Sequence, residues 1–142
     1  SGVREVSDLA EKRLRVCAPR GSTSLENLVK KAREAVPVPA DTHTGCLVLF
    51  QRGEADAITG DDAILAGLAS QDPYAEVVGK AFSQEPYGLG IAKDRPDLVR
   101  FVNAVLERMR SDGEWRRAYD RWLQDDLGAA PKPPSPVYGR RP

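Results

Sequence analysis

Residues 53 to 68, GEADAITGDDAILAGL, constrain the fold of this chain more than any other stretch. Ala55, Ala57 and Ile58 make a short apolar run of the kind a buried strand carries. Thr59, Gly60, Asp61 and Asp62 interrupt it, and Ile64, Leu65 and Leu68 then recur at helical spacing. Strand, tight turn and helix place the turn at the carboxyl edge of a parallel sheet, where open α/β folds hold their ligands. Asp61 and Asp62 fall on that turn. An acid there can cap the helix by accepting a free amide N–H. It can also grip a cation, such as the ammonium group of a small molecule. Two consecutive acids allow both uses.

The stretch around Arg20 has the complementary chemistry. Leu14, Val16 and Ala18 alternate with Arg13, Arg15 and Cys17, which predicts a strand stopped by Pro19. Gly21 permits a sharp turn. Leu25, Leu28, Val29 and Ala32 then mark one face of a helix. Residues 20–24 are thus a second helix N-terminus fed by a strand, offering free N–H groups to a carboxylate or phosphate. Ser22, Thr23 and Ser24 add hydroxyls, and Arg20 adds charge. Thr23 and Glu26 also fit the S/T-x-x-E capping box. The G-x-x-x-x-G-K-[ST] pattern is absent, so this is not a P-loop.

The remaining segments are punctuated by Gly and Pro. Residues 3–12 read as a short surface segment in which Ser7 caps a turn. VPVPAD, residues 36–41, reads as an extended link too rich in proline for a central strand. Thr44 can open a helix that turns Cys46, Leu47, Leu49 and Phe50 inward and ends near Gly53. AEVVG (75–79) and YGLGIA (87–92) look like strands. A long helix follows with Pro96 in its first turn, lined by Leu98, Phe101, Val102, Val105, Leu106 and Met109. After Gly113, Trp115, Tyr119, Trp122 and Leu123 give a further amphipathic helix whose aromatics suit packing. From Gly128 the chain is proline-rich and extended.

Composition excludes several classes. Lys plus Arg and Asp plus Glu are 21 each, a net charge of zero, so there is no basic stripe for nucleic acid. No apolar run is long enough to span a membrane. The opening SGVREVSDLAEK has no signal-peptide pattern and reads as a chain entered partway. Cys17, Cys46 and the lone His43 make a poor zinc site, since structural zinc wants four ligands. No metal or cofactor is expected. The two cysteines can form a disulfide or stay as two buried thiols. His43, in a polar turn, reads as an ordinary surface residue.

Three motifs in order carry a resemblance: VCAPRGSTSLENL, then GCLVLFQRGEADAITGDDAILAGL, then EPYGLGIAKDRPDLVRFVNAVLERMRSDGEWRRAYDRWL. Together the chain resembles the family 3 periplasmic amino-acid-binding proteins of ABC importers, most of all the glutamate-binding lipoproteins of actinobacteria. The resemblance implies an α/β fold, one lobe of the type II periplasmic-binding fold, with a mostly parallel sheet flanked by helices. It implies a Cys17–Cys46 bridge and an extracytoplasmic, lipid-anchored parent. By motif position, Gly21, Ser22 and Thr23 would hold a ligand α-carboxylate through amides and hydroxyls. Asp61 would pair with the α-ammonium, Asp62 would cap, and Arg20 would be a candidate for a side-chain carboxylate. The ligand would be a polar or acidic amino acid: glutamate, aspartate, glutamine or asparagine.

The same resemblance divides the chain into a second lobe (1–92), C-terminal helices that normally return to a first lobe (93–126) and a tail (127–142). The first lobe has no counterpart here, so the chain is expected to be a fragment with half a ligand site and at best millimolar affinity. The expected partners are an amino acid, the missing first lobe, and an ABC permease or membrane sensor. Self-association through an orphaned helix face is a further expectation. The chain is expected to bind without catalysing. The alternatives are an interaction module docking on a permease or receptor, and a dehydratase-like enzyme on the same fold.

Overall fold

The computed structural model describes residues 2–85, 87–133, 135, 136 and 138. The chain divides into two compact units, Ser1–Glu85 and Pro86–Pro142.

In the first unit, β1 (Arg15–Pro19) is the middle strand of a parallel three-stranded sheet, between β2 (Val36–Ala40) and β3 (Ala57–Ile58). Val16, Cys17 and Ala18 are all fully buried. The alternation expected for this strand is therefore absent, because a central parallel strand is covered on both faces. Val16 joins one core with Leu9, Leu28, Ala32 and Ala35. Its neighbour Cys17 turns to the other face and joins Cys46 and Ala55. So α2 (Thr23–Lys31) packs on the Val16 face, and α3 (His43–Gln51) packs on the Cys17 face. α4 (Asp62–Ala69) touches α3. A bridge joins Cys17 to Cys46, with their Cα atoms 5.5 Å apart, and ties the central strand to α3.

Several expectations need correction. The proline-rich link is a strand, and Pro19, though it is the last residue of β1 as expected, is still paired in register with Ala40. Both follow from where the missing N–H groups lie. The Val36 N–H donates to the Leu14 carbonyl, and the Arg20 N–H to the Ala40 carbonyl, each at 2.8 Å. Residues 36, 38 and 40 thus turn their backbone groups towards β1, so Pro37 and Pro39 face the outer edge, where no ladder bond is lost. Prolines there also block pairing with another chain. Residues 3–12 are not merely surface: they contain α1 (Val6–Glu11), whose Leu9 is buried in the core. Val29 is 51% exposed, so α2 buries a narrower face than expected. Residues 75–79 and 87–92 form no strand. Neither segment is paired with a strand among the described residues, and an apolar run whose N–H groups no strand receives does not become one.

In the second unit, α5 (Pro96–Ser111) begins with Pro96 in its first turn, as expected. Gly113, at φ +80°, turns the chain into α6 (Glu114–Trp122). Trp115 stacks on Tyr119 at 5.7 Å, and Arg121 lies 4.8 Å over the Trp122 ring. The short α7 (Gln124–Leu127) follows. No residue of these three helices is buried. Of the predicted tail, residues 134, 137 and 139–142 lie outside the described residues, and the described part holds no helix or strand beyond α7.

Candidate functional site

The strand order fixes where a ligand can enter. β1 and β3 are adjacent and parallel, yet the helices that follow them lie on opposite faces, α2 with Val16 and α4 with α3. Where neighbouring strands send their helices to opposite faces, the loops part and leave a crevice at the carboxyl edge. The Thr59 N–H still donates to the Cys17 carbonyl at 2.9 Å, so the two chains separate only beyond that bond. Residues 20–22 leave one side of the crevice and residues 59–61 the other. All five predicted ligand residues therefore stand at one sheet edge.

The two acids have different roles. The Asp62 carboxylate accepts the Ala63 N–H at 2.7 Å, as a residue helping to satisfy a helix start does. Asp61 occupies the N-cap position, but its side chain makes no capping bond. Among the described residues no hydrogen bond or ion pair to its carboxylate is found, and the residue is half-buried.

At the other corner the expected Thr23–Glu26 capping box does not form, and the helix starts one residue earlier on a simple cap. Ser22, not Thr23, is the N-cap, its Oγ accepting the Leu25 N–H at 3.2 Å and donating to the Pro19 carbonyl at 2.8 Å. Gly21 sits at φ +69°, a left-handed conformation that a residue with a Cβ enters only at a cost. The Thr23 hydroxyl donates to Glu85. Both hydroxyls expected to meet a ligand are thus committed internally. The amides of Thr23 and Ser24, the first two of the helix, have no partner among the described residues. Arg20 pairs with Asp41 at 3.5 Å, both side chains well exposed. Such a pair contributes about 0 to 1 kcal/mol and releases its arginine readily.

The profile of the bacterial extracellular solute-binding proteins, family 3, matches residues 7–125. The chain belongs to that family. This family 3 protein is 35% identical over 126 residues to the ABC transporter glutamine-binding protein GlnH of Bacillus subtilis, covering 89% of its own length and 46% of that relative. It is 35% identical over 120 residues to the glutamate-binding protein GluB of Corynebacterium efficiens, covering 80% of its own length and 39% of that one. It therefore spans less than half the length of either relative. Among solved structures, an ancestral amino acid-binding protein, a precursor of cyclohexadienyl dehydratase, matches with a TM-score of 0.71 and 26% identity, over 85% of this chain and 52% of that one. The fold is a lobe of the type II periplasmic-binding proteins.

Two residues of this solute-binding protein escaped the sequence reading. His43 is not an ordinary surface residue: its Nε2 is buried without a partner among the described residues. A Cβ built on Gly60 would stand 2.9 Å from that atom and 3.2 Å from His43 Cδ2. The Nε2–Cδ2 edge of the imidazole thus lies close against Gly60, one residue before Asp61. Only the fold brings the two together, and nothing local to either residue signals it. We expect Gly60→Ala to cost about 1 to 2 kcal/mol by overpacking. Adding His43→Ala should recover part of that loss, and strictly additive urea midpoints would show that the two do not touch. The second residue is Glu85, which accepts from Thr23 and Asn27 of α2. A stripe of polar residues along that helix, Thr23, Asn27 and Lys31, was its available signal.

Proposed function

We propose that residues 1–85 present one half of a site for a free polar or acidic amino acid, of the class glutamate, glutamine, aspartate and asparagine. Asp61 pairs with the ligand α-ammonium. The turn at Gly21 and Ser22 presents the free amides of Thr23 and Ser24 to the α-carboxylate, and Arg20 reaches a side-chain carboxylate after exchanging Asp41. The observation that supports this most is the pairing of an uncommitted Asp61 carboxylate with unpartnered amides across one sheet-edge crevice. A zwitterion needs an acid and a donor corner about one ligand length apart. The names of the relatives, glutamine-binding and glutamate-binding, agree with that class.

The other half of the site belongs, on this reading, to a first lobe outside this chain. α5 to α7, which bury none of their residues, pack on it, as the division at 93–126 expects. The whole protein is a lipid-anchored, extracytoplasmic receptor serving an ABC permease or a membrane sensor. It binds its ligand without chemistry.

The test is an amide NMR titration of this chain with the four amino acids. Shifts confined to residues 20–24 and 59–62, at millimolar affinity, are expected. Asp61→Asn should weaken that binding about ten- to a hundredfold, the worth of a hydrogen bond to a charged group. Binding unaltered by Asp61→Asn, or micromolar affinity by calorimetry, would overturn the half-site reading.

A further inference from the structure

The segment that closes the first unit lies along α2. The Lys31 Nζ donates to the Phe82 carbonyl at 2.7 Å, and the Asn27 Nδ2 donates to Glu85 Oε1 at 2.7 Å. The Thr23 hydroxyl donates to Glu85 Oε2, and the Ser83 hydroxyl to Oε1 at 3.1 Å. Thr23, Asn27 and Lys31 are spaced four apart and form one stripe of the helix. The Glu85 carboxyl is held below its usual range, by the Thr23 hydroxyl first and by Ser83 and Asn27 after it. This clamp is therefore complete above the ordinary carboxyl pKa, and it is lost only as pH falls through the depressed value.

A hydroxyl carries a single proton and two lone pairs, and an ionised carboxylate only accepts. With Glu85 in place the Thr23 proton is spent, and the Thr23 oxygen has only lone pairs to offer a ligand. Ser22 is in the same position, its proton given to the Pro19 carbonyl. A free amino acid would have to displace a carboxylate fixed by three donors to recover the Thr23 proton. The unpartnered amides of Thr23 and Ser24 present no such obstacle.

We propose that Glu85 is a positioning residue for the amino-acid site: it fixes Thr23 Oγ1 as a hydrogen-bond acceptor, so that the oxygen takes a ligand N–H while the ligand carboxylate rests on the backbone amides. The inference deepens the amino-acid reading and rests on it. It assigns Glu85 a part in selectivity that its distance in sequence from both corners conceals.

The test uses the whole 142-residue chain. Without any ligand, carbon-13 titration of the Glu85 carboxyl should show its depressed pKa moving back towards the ordinary value in Thr23→Val. No movement would overturn the clamp. With acetate as a probe that has a carboxylate and no N–H, Glu85→Ala should raise affinity at residues 21–24 about tenfold, because the Thr23 proton becomes available. Glutamine, which also uses the acceptor oxygen, should gain much less. Glu85→Gln, uncharged but still offering an oxygen to that proton, should leave acetate binding near its original value. Equal gains in the Ala and Gln variants would mean that charge alone acts, and the proposal would fall. A merely structural clamp would weaken acetate and glutamine together, which would also overturn it. If amino acids fail to perturb the parent chain while the carboxyl titration and the acetate result hold, the amino-acid reading fails and the polarity assigned to Thr23 stands.

Discussion

Removing the Cys17–Cys46 bridge will lower the stability of the first unit by about 3.6 kcal/mol, the chain-entropy value for a loop of this length, given a separation of 29 residues. The bridge constrains the unfolded chain, and its two halves are also packing groups, each fully buried between β1 and α3. The two contributions can be separated. Reduction leaves both sulfurs in the core and removes only the link. Cys17→Ala with Cys46→Ala removes the buried sulfur as well, so the double variant should be the less stable of the two. For a unit of this size the loss corresponds to a fall of roughly 15 °C or more in Tm. The probe matters, because both tryptophans, Trp115 and Trp122, lie in the second unit. Backbone circular dichroism or amide exchange of residues 14–18 and 46–50 would follow the right part. A loss below 1 kcal/mol on reduction would mean that the unfolded chain is already restrained without the link.

Where the sequence was readable, local chemistry and tertiary demand agreed. Residues 53–68 read as strand, turn and helix because an acid suits a helix start, and burial asks for the same apolar pattern on either side of it. Pro96 announced α5 because its fixed φ suits a first helical turn. The errors arose where a partner decides the outcome. VPVPA forms β2 only because its prolines fall on the face turned away from β1, a matter of register and edge position that no local window contains. Residues 75–79 have the composition of a strand and lack a strand to pair with. The same holds for the site. Asp61, Gly21 and Arg20 were visible as a turn acid, a turn glycine and a loop cation. The spending of the Thr23 proton was not, because it depends on Glu85 arriving from 62 residues away, whereas the Ser22 proton goes to Pro19, three residues back in the same turn.

The crevice depends on a short helix being held in place. α2 has nine residues, fewer than an isolated helix needs to persist in water. Its seat on β1 must therefore come from packing, and Leu28 is the fully buried side chain that supplies it, against Leu9, Val16, Ala32 and Ala35. Leu28→Ala should cost about 3 kcal/mol, transfer and cavity together. Val29→Ala, one residue on and half exposed, should cost less than about 0.5 kcal/mol. The difference between these neighbours is what makes the comparison informative for function. If α2 is seated through Leu28, the cavity variant should also speed amide exchange at Thr23 and Ser24, the donors proposed to meet the ligand carboxylate, and weaken acetate binding there. Val29→Ala should leave both unchanged. Equal urea midpoints for the two variants would mean that α2 is held by its Ser22 cap and the Glu85 clamp instead of its core contact. The donor corner would then be set from its ends and not from its buried face.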